Sequence, residues 1–305
     1  MNFELNAPNA GARISLASSS YIVSVETKVW TATKQDRSIS NEVTTQKNAS
    51  ADAGRFTKNL LANCTQHKSL LNYRQTVHNW LQRATYDWAG SMRLLPMFNI
   101  EKFKTEYEMH EREFGKLLDA FEVAYPSLVS DAAFKQGDMF DRSEYPEPHE
   151  VRAKFRMKLF ITSVPANDFR SGVIAEAIAD DLKKHYERQV EEIVDSVMED
   201  AAERFVEIAS RLRNSCEEVE PSEDGKVKRK KVYESTVNQA REIARTLKNF
   251  NLTGNAALND ACDAMEEALS GVTLVDLRES SYVRQTVKSD IDDMLNKFAP
   301  LRSFK

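Results

Sequence analysis

The chain has 305 residues, 41% of them hydrophobic and 29% charged, with nine glycines, eight prolines and a formal net charge of −5. That composition supports a buried core, excludes a globally disordered chain, and confines any nucleic-acid contact to a local patch rather than a general positive field. Three scattered cysteines, Cys64, Cys216 and Cys262, exclude a disulfide framework and a cysteine-rich zinc site.

Residues 1–20 read as a polar lead-in. From Tyr21 to Trp30 the chain alternates, with Val23, Val25, Thr27 and Val29 on one side, which predicts a half-buried strand. Two helical blocks follow, 51–88 and 100–125, the second ending before Pro126. The stretch Trp88 to Pro96, with Gly90 and Pro96 as stop signals, reads as the turn of a helical hairpin. Residues 137–148 form a loop. Lys154 to Ile161 alternates again, with Phe155, Met157, Leu159 and Ile161 facing one way, and predicts a second strand that pairs with the first in a small antiparallel ribbon.

The character changes near residues 165–172. Between Gly172 and Gly225 no glycine occurs, and Ile174, Ile178, Leu182, Tyr186, Val190, Ile193, Val197, Ala201, Phe205, Ile208 and Leu212 recur at helical spacing among charges. A helix of about 45 residues would be roughly 65–70 Å long. Three shorter helices are expected after it, over 232–250, 256–270 and 274–298, packing along it in sequence. The predicted fold is mainly α: a lead-in (1–20), an N-terminal helical domain with a two-stranded ribbon (21–168) and a long-armed helical bundle (169–305). The stripe of the long helix averages nearer 3.7–3.8 than 3.5 residues, which fits intramolecular packing better than a regular zipper, with homo-oligomerisation through the same stripe as the second reading.

No phosphate-loop, dinucleotide, nucleophile-elbow or paired-histidine zinc motif occurs. His110-Glu111 opens like a metalloprotease motif but lacks the second histidine one turn on. Asp138, Asp141, Glu144, Glu147, His149 and Glu150 could offer oxygen ligands to a divalent cation, yet their spacing is not that of a calcium loop, and a solvated loop is the better reading. No catalytic residue, metal site or cofactor is therefore expected, and the chain reads as a non-enzyme.

Basic residues form the strongest polar signal. Lys226, Lys228, Arg229, Lys230 and Lys231 follow the long helix and mark a charged hairpin tip able to neutralise phosphates, although the acidic end of that helix at Glu217, Glu218 and Glu220 could equally absorb the charge. Lys28, Lys34 and Arg37, with Lys154, Arg156 and Lys158 from the second strand, could make one positive sheet face, against the simpler role of lysines that protect a strand edge. These eleven residues are the candidate nucleic-acid contacts.

Several segments resemble a family of unknown function carried by bacteriophages and conjugative plasmids. They are Val29 to Lys34 with Asp36, Asp52-Ala53-Gly54-Arg55 with Lys58, Arg93 to Pro96, Gly137 to Phe140 with Tyr145-Pro146, Phe155-Arg156, Val164-Pro165 and Asp168 to Arg170. They cover about the first 170 residues, and the long helix matches only in being helical and charge-rich. The resemblance implies a neighbourhood with a MoxR-type AAA+ ATPase and a von Willebrand A-type protein, hence a partner or substrate of that machine, and it brings no catalytic residue. The resulting expectation is a non-enzymatic binding or adaptor protein of a phage or mobile element, acting through helical surfaces on a protein partner. The alternative is a nucleic-acid-binding accessory factor using the basic tip. No apolar run approaches the roughly 20 residues needed to span a bilayer and Met1 to Leu5 does not start like a secretory signal, so no membrane role and a bacterial host cytoplasm are expected.

Overall fold

The computed structural model describes residues 16–164, 176–219 and 228–298. In chain order the elements are α1 (Leu16–Ser19), β1 (Ser20–Lys28), β2 (Thr33–Asp36), α2 (Arg37–Gln46), β3 (Phe56–Asn59), α3 (Thr65–Ala84), β4 (Tyr86–Ala89), β5 (Met92–Pro96) and α4 (Ile100–Gln136). Then come α5 (Pro148–Val151), β6 (Arg156–Ser163), α6 (Glu176–Ser215), β7 (Glu218–Val219), β8 (Lys228–Arg229), α7 (Glu234–Asn249), α8 (Ala256–Ala268), α9 (Leu274–Glu279) and α10 (Ser281–Phe298). The protein is mainly helical with small antiparallel sheets in its N-terminal half. Among the described residues no helix is long and apolar enough to cross a membrane.

The chain divides into two units, and not by one cut. Of the described residues, a bundle unit takes those up to 23, those from 85 to 101 and those from 161 onward; a hairpin unit takes 24–84 and 102–160. Each has its own apolar core.

In the bundle unit α6 has 40 residues, about 60 Å of helix. From Val197 onward its stripe is buried: Ala201, Phe205, Ala209 and Leu212 are fully enclosed. Burying Phe205 and Leu212 stabilises the unit by about 1.5–3 kcal/mol each. Helices α7 and α10 pack on α6, and α8 packs on both α7 and α10. Phe205 meets Phe298 edge-on at 5.9 Å.

The segment expected to be one helix over 274–298 is two. Thr273 and Asp276 form a capping box that starts α9, with Asp276 N donating to Thr273 Oγ1 at 3.2 Å and Thr273 N to Asp276 Oδ2 at 2.9 Å. Ser280 then turns extended and accepts from Val283 N at 3.3 Å, capping α10.

The Trp88–Pro96 stretch is a β-hairpin rather than a turn between helices. Gly90 sits at φ +60, the left-handed region that a tight hairpin turn requires, and β4 pairs with β5 antiparallel, Tyr86 opposite Leu94. β5 also pairs with β1, Ser20 opposite Pro96 and Val23 opposite Arg93. Strand order in this sheet is β4-β5-β1-β6, so the two strands read from alternation are neighbours as expected, in a larger sheet than the ribbon foreseen. Leu94 and Leu95 are fully buried, so both faces of β5 are covered. Tyr86 stacks on Phe250 at 5.4 Å, with Arg204 lying over its ring at 4.7 Å; these contacts hold the hairpin in the bundle unit.

In the hairpin unit α3 and α4 pack through aromatics. Trp80 stacks on Phe103 at 4.8 Å and donates from Nε1 to Glu106 at 2.7 Å. His110 Nδ1 lies 2.8 Å from the Tyr73 hydroxyl, and burial, partly opposed by Glu106, holds its pKa below the usual histidine value. This histidine is a helix-to-helix contact.

Residues 51–64 are not helical, contrary to expectation: β3 pairs with β2, and Asn63 at φ +59 breaks the chain before α3. Helix α4 also runs through Pro126 to Gln136 instead of ending before it. An interior proline loses one backbone hydrogen bond and costs about 3 kcal/mol. The helix continues because Tyr125, Val129 and Ala132 bury one face, and Gln136 Nε2 donates to Asn59 O at 3.1 Å and Leu60 O at 3.2 Å.

Candidate functional site

The basic cluster after α6 is carried on a two-stranded ribbon rather than on a helical hairpin. β7 and β8 pair antiparallel, Glu218 opposite Arg229 and Val219 opposite Lys228. Residues 220–227, which include Lys226 and Glu220, lie outside the described residues. Lys230 Nζ binds Glu217 Oε2 at 2.6 Å, and Glu217 also pairs with Arg213, which reaches Asp292 at 2.8 Å. The hydrogen bond from Lys230 is the main reason that the Glu217 carboxyl is held below the usual carboxylate range. Lys231 lies over the Tyr233 ring at 5.1 Å. At Lys230 the cluster's charge is thus answered by the acidic end of α6.

Arg284 anchors the base of this ribbon. It is 1% exposed and donates to the carbonyls of Ser215 at 2.7 Å, Lys230 at 2.9 Å and Leu277 at 3.1 Å, with Glu217 O at 3.4 Å and Cys216 O at 3.5 Å. These oxygens include the free carbonyls at the C-terminal end of α6, where the helix dipole favours a cation. Sequence reading passed over Arg284 because a lone arginine in an amphipathic helix looks like a surface residue.

The strand-side bases do not form one face. Lys28 and Lys158 are exposed on the neighbouring strands β1 and β6, but Arg156 binds Glu26 at 2.8 Å. Lys154 precedes the strand, in a short helical turn over Arg152–Lys154. Lys34 lies on β2 of a separate two-stranded sheet, and Arg37 opens the helix α2 that follows it.

There they flank a cluster that sequence reading did not assemble. Lys58 on β3 sits opposite Lys34 on β2 and is 6% exposed. Its ammonium lies 2.7 Å from Glu144 Oε2 and 3.6 Å from Asp36 Oδ2, and it donates to Met139 O at 2.8 Å. Burial disfavours the charge on Lys58, but Glu144 and Asp36 outweigh burial and raise its pKa. Asp36 also caps α2, accepting from Ile39 N at 3.1 Å. A shallow cleft of about 500 Å³ lies above, lined by Lys34, Gln35, Asp36, Arg37 and Glu144. Below it the Tyr145 hydroxyl donates to Leu60 O at 2.9 Å. Strands β2 and β3 and the loop carrying Met139 and Glu144 therefore meet around Lys58. With two lysines and an arginine against two carboxylates, the cluster is close to neutral and acts as a clasp between β2, β3 and the loop after α4.

The acidic loop has its carboxylates engaged separately. Asp141 accepts from Ser143 N at 2.9 Å, Glu144 holds Lys58, Glu147 binds Arg142 at 2.9 Å, and His149 lies 3.9 Å from Glu150. Among the described residues no group of three histidine, cysteine or acidic side chains is placed to hold a metal ion. All three cysteines are buried free thiols, and burial, reinforced by Asp263 and Glu266, pushes Cys262 up to about 12. A thiol so far from ionisation is a poor nucleophile.

The first half of α6 differs from the second. Ile178 is 55% and Leu182 44% exposed, Tyr186 and Val190 are half-buried, and full burial begins at Val197. Among the described residues, the helices that follow α6 cover its C-terminal half, Val190 already packs against their core, and Ile178 and Leu182 stay exposed one turn apart on the other half. Charged residues flank that pair, with Lys183 and Glu187 bridged at 4.0 Å. Comparison of the chain with known protein families, with curated proteins and with solved structures finds no match.

Proposed function

We propose that this chain is a non-enzymatic adaptor that binds a protein partner through the N-terminal half of α6. The observation that carries the reading is the exposed apolar pair Ile178 and Leu182, which continues the buried stripe of α6 beyond the described residues that pack on it. An amphipathic helix presenting exposed anchors at i and i+4 suits docking against a helix or groove of another protein. The resemblance in the first 170 residues favours a bacteriophage or mobile element in a bacterial cytoplasm, with an AAA+ ATPase as the candidate partner. Co-purification with that ATPase tests the reading. The wild-type chain should retain it, and Ile178→Glu/Leu182→Glu should lose it while keeping its helical circular dichroism. Retention by the double variant would refute the assignment of the surface, and a concentration-dependent dimer that the variant abolishes would replace the partner with a second copy.

A nucleic-acid-binding accessory role is the second reading, favoured by one observation: Lys228 and Arg229 lie on an antiparallel ribbon, an element that fits the major groove. The ion pair of Lys230 with Glu217 counts against it. Anisotropy titration of duplex DNA at two salt concentrations decides, because phosphate neutralisation would make affinity fall steeply with salt and with charge reversal of Lys228 to Lys231.

A further inference from the structure

Helices α8 and α10 enclose a groove of about 640 Å³. Its floor on α8 is Ala257, Ala261, Ala264 and Ala268, spaced four, three and four residues apart so that one face of the helix carries only methyl groups. Met294 and Phe298 of α10 supply the apolar wall. Carboxylates stand on both rims, Asp260 and Glu267 from α8 and Asp290 and Asp293 from α10, with Lys297 the one cation among the described lining residues.

Neighbouring acids show how these four differ. Asp263 and Glu266, also on α8, are both taken by Lys248, at 2.5 and 3.3 Å. None of the four rim carboxylates makes an ion pair with a described residue. They also do not converge: Asp260 and Glu267 lie seven residues apart, about 10.5 Å along the helix axis. Consistent with that spread, no group of three ligands for a metal occurs among the described residues. The negative rim repels phosphate, so a nucleic acid is a poor occupant.

We propose that this groove docks a basic amphipathic helix of a partner protein, its apolar side chains set over the alanine floor and its lysines or arginines along the rims. Small floor residues admit a helix closely, as small-residue faces do wherever helices pack tightly. A spacing of seven residues between acids on the rim matches bases two turns apart on the incoming helix, and carboxylates on both sides fix its orientation. The site uses α8 and α10 and not the exposed apolar pair of α6, so its test stands or falls separately from the adaptor surface proposed above.

The test uses the full chain and a fluorescein-labelled peptide of about 18 residues, with leucines along one face and lysines two turns apart beside them. Anisotropy should show saturable binding that weakens as salt rises. The same peptide with glutamate in place of lysine should not bind. Neutralising the rims with Asp260→Asn, Glu267→Gln, Asp290→Asn and Asp293→Asn should weaken binding by about tenfold, and Ala264→Leu, which fills the floor without touching charge, should weaken it similarly. All four rim positions are exposed, and thermal melts matching wild type confirm that the variants remain folded. Absence of saturable binding overturns the proposal. So does equal binding by a scrambled peptide of the same composition, or indifference to Ala264→Leu.

Discussion

Replacing Arg284 with methionine should destabilise the bundle unit by about 2–4 kcal/mol. Methionine roughly preserves the apolar stem but removes every donor from a site that is 1% exposed. Three bonds of 3.1 Å or shorter, to Ser215 O, Lys230 O and Leu277 O, vanish together. Hydrogen bonds from a charged donor contribute about 1.5–3 kcal/mol each, so the gross loss is on the order of 5–9 kcal/mol. Removing the guanidinium also removes its desolvation penalty, several kcal/mol for a buried ion, which leaves the smaller net figure. Arg284→Lys should lose nearly as much, because one ammonium cannot span carbonyls from α6, α9 and Lys230, just after β8. Urea denaturation followed by circular dichroism measures it, as a lower midpoint at unchanged slope. A methionine variant within about 0.5 kcal/mol of wild type would refute the argument that Arg284 joins these elements.

Two further outcomes follow from the same kind of reasoning. Pro126→Ala should stabilise the hairpin unit by about 1–3 kcal/mol, read as a raised denaturation midpoint, since the exposed proline interrupts a helix that both flanks keep intact. Tyr86, Tyr107 and Tyr125 are each pushed up to about 12, chiefly by burial. A raised pKa on a neutral acid means that its stabilisation is complete below the unfolded value near about 10 and is lost as pH climbs through about 12. Ultraviolet titration at alkaline pH should therefore show these tyrosines ionising late and together with unfolding, whereas early, reversible ionisation of all nine tyrosines in the folded chain would contradict their burial.

Local patterns carried much of this architecture. The spacing of Phe205 and Leu212 identified α6, alternation identified β1 and β6, and Gly254 and Gly271 marked helix ends. What failed depended on partners distant in sequence. Pro126 looked like a stop because the sequence does not show that Val129 and Ala132 have a core to enter. Leu94 and Leu95 looked like linker residues because a strand buried on both faces has no alternation to detect. Lys58 and Arg284 were invisible for a related reason: a buried cation is defined by the oxygens around it, and Glu144 and Asp36 or the carbonyls of Ser215 and Lys230 come from other elements. The basic cluster was legible as charge, but its ribbon geometry and its neutralisation at Glu217 were not.

Position-resolved photo-crosslinking in cells would show whether the first half of α6 is a protein-binding surface. A photoreactive residue would be placed in turn at Ile178 and Leu182, and at Asp181, Lys184 and Arg188 on the flanks. Crosslinks to one discrete protein are expected from Ile178 and Leu182 and not from the flanking positions. Equal yields from both sets, or none from Ile178 and Leu182, would contradict the proposed surface.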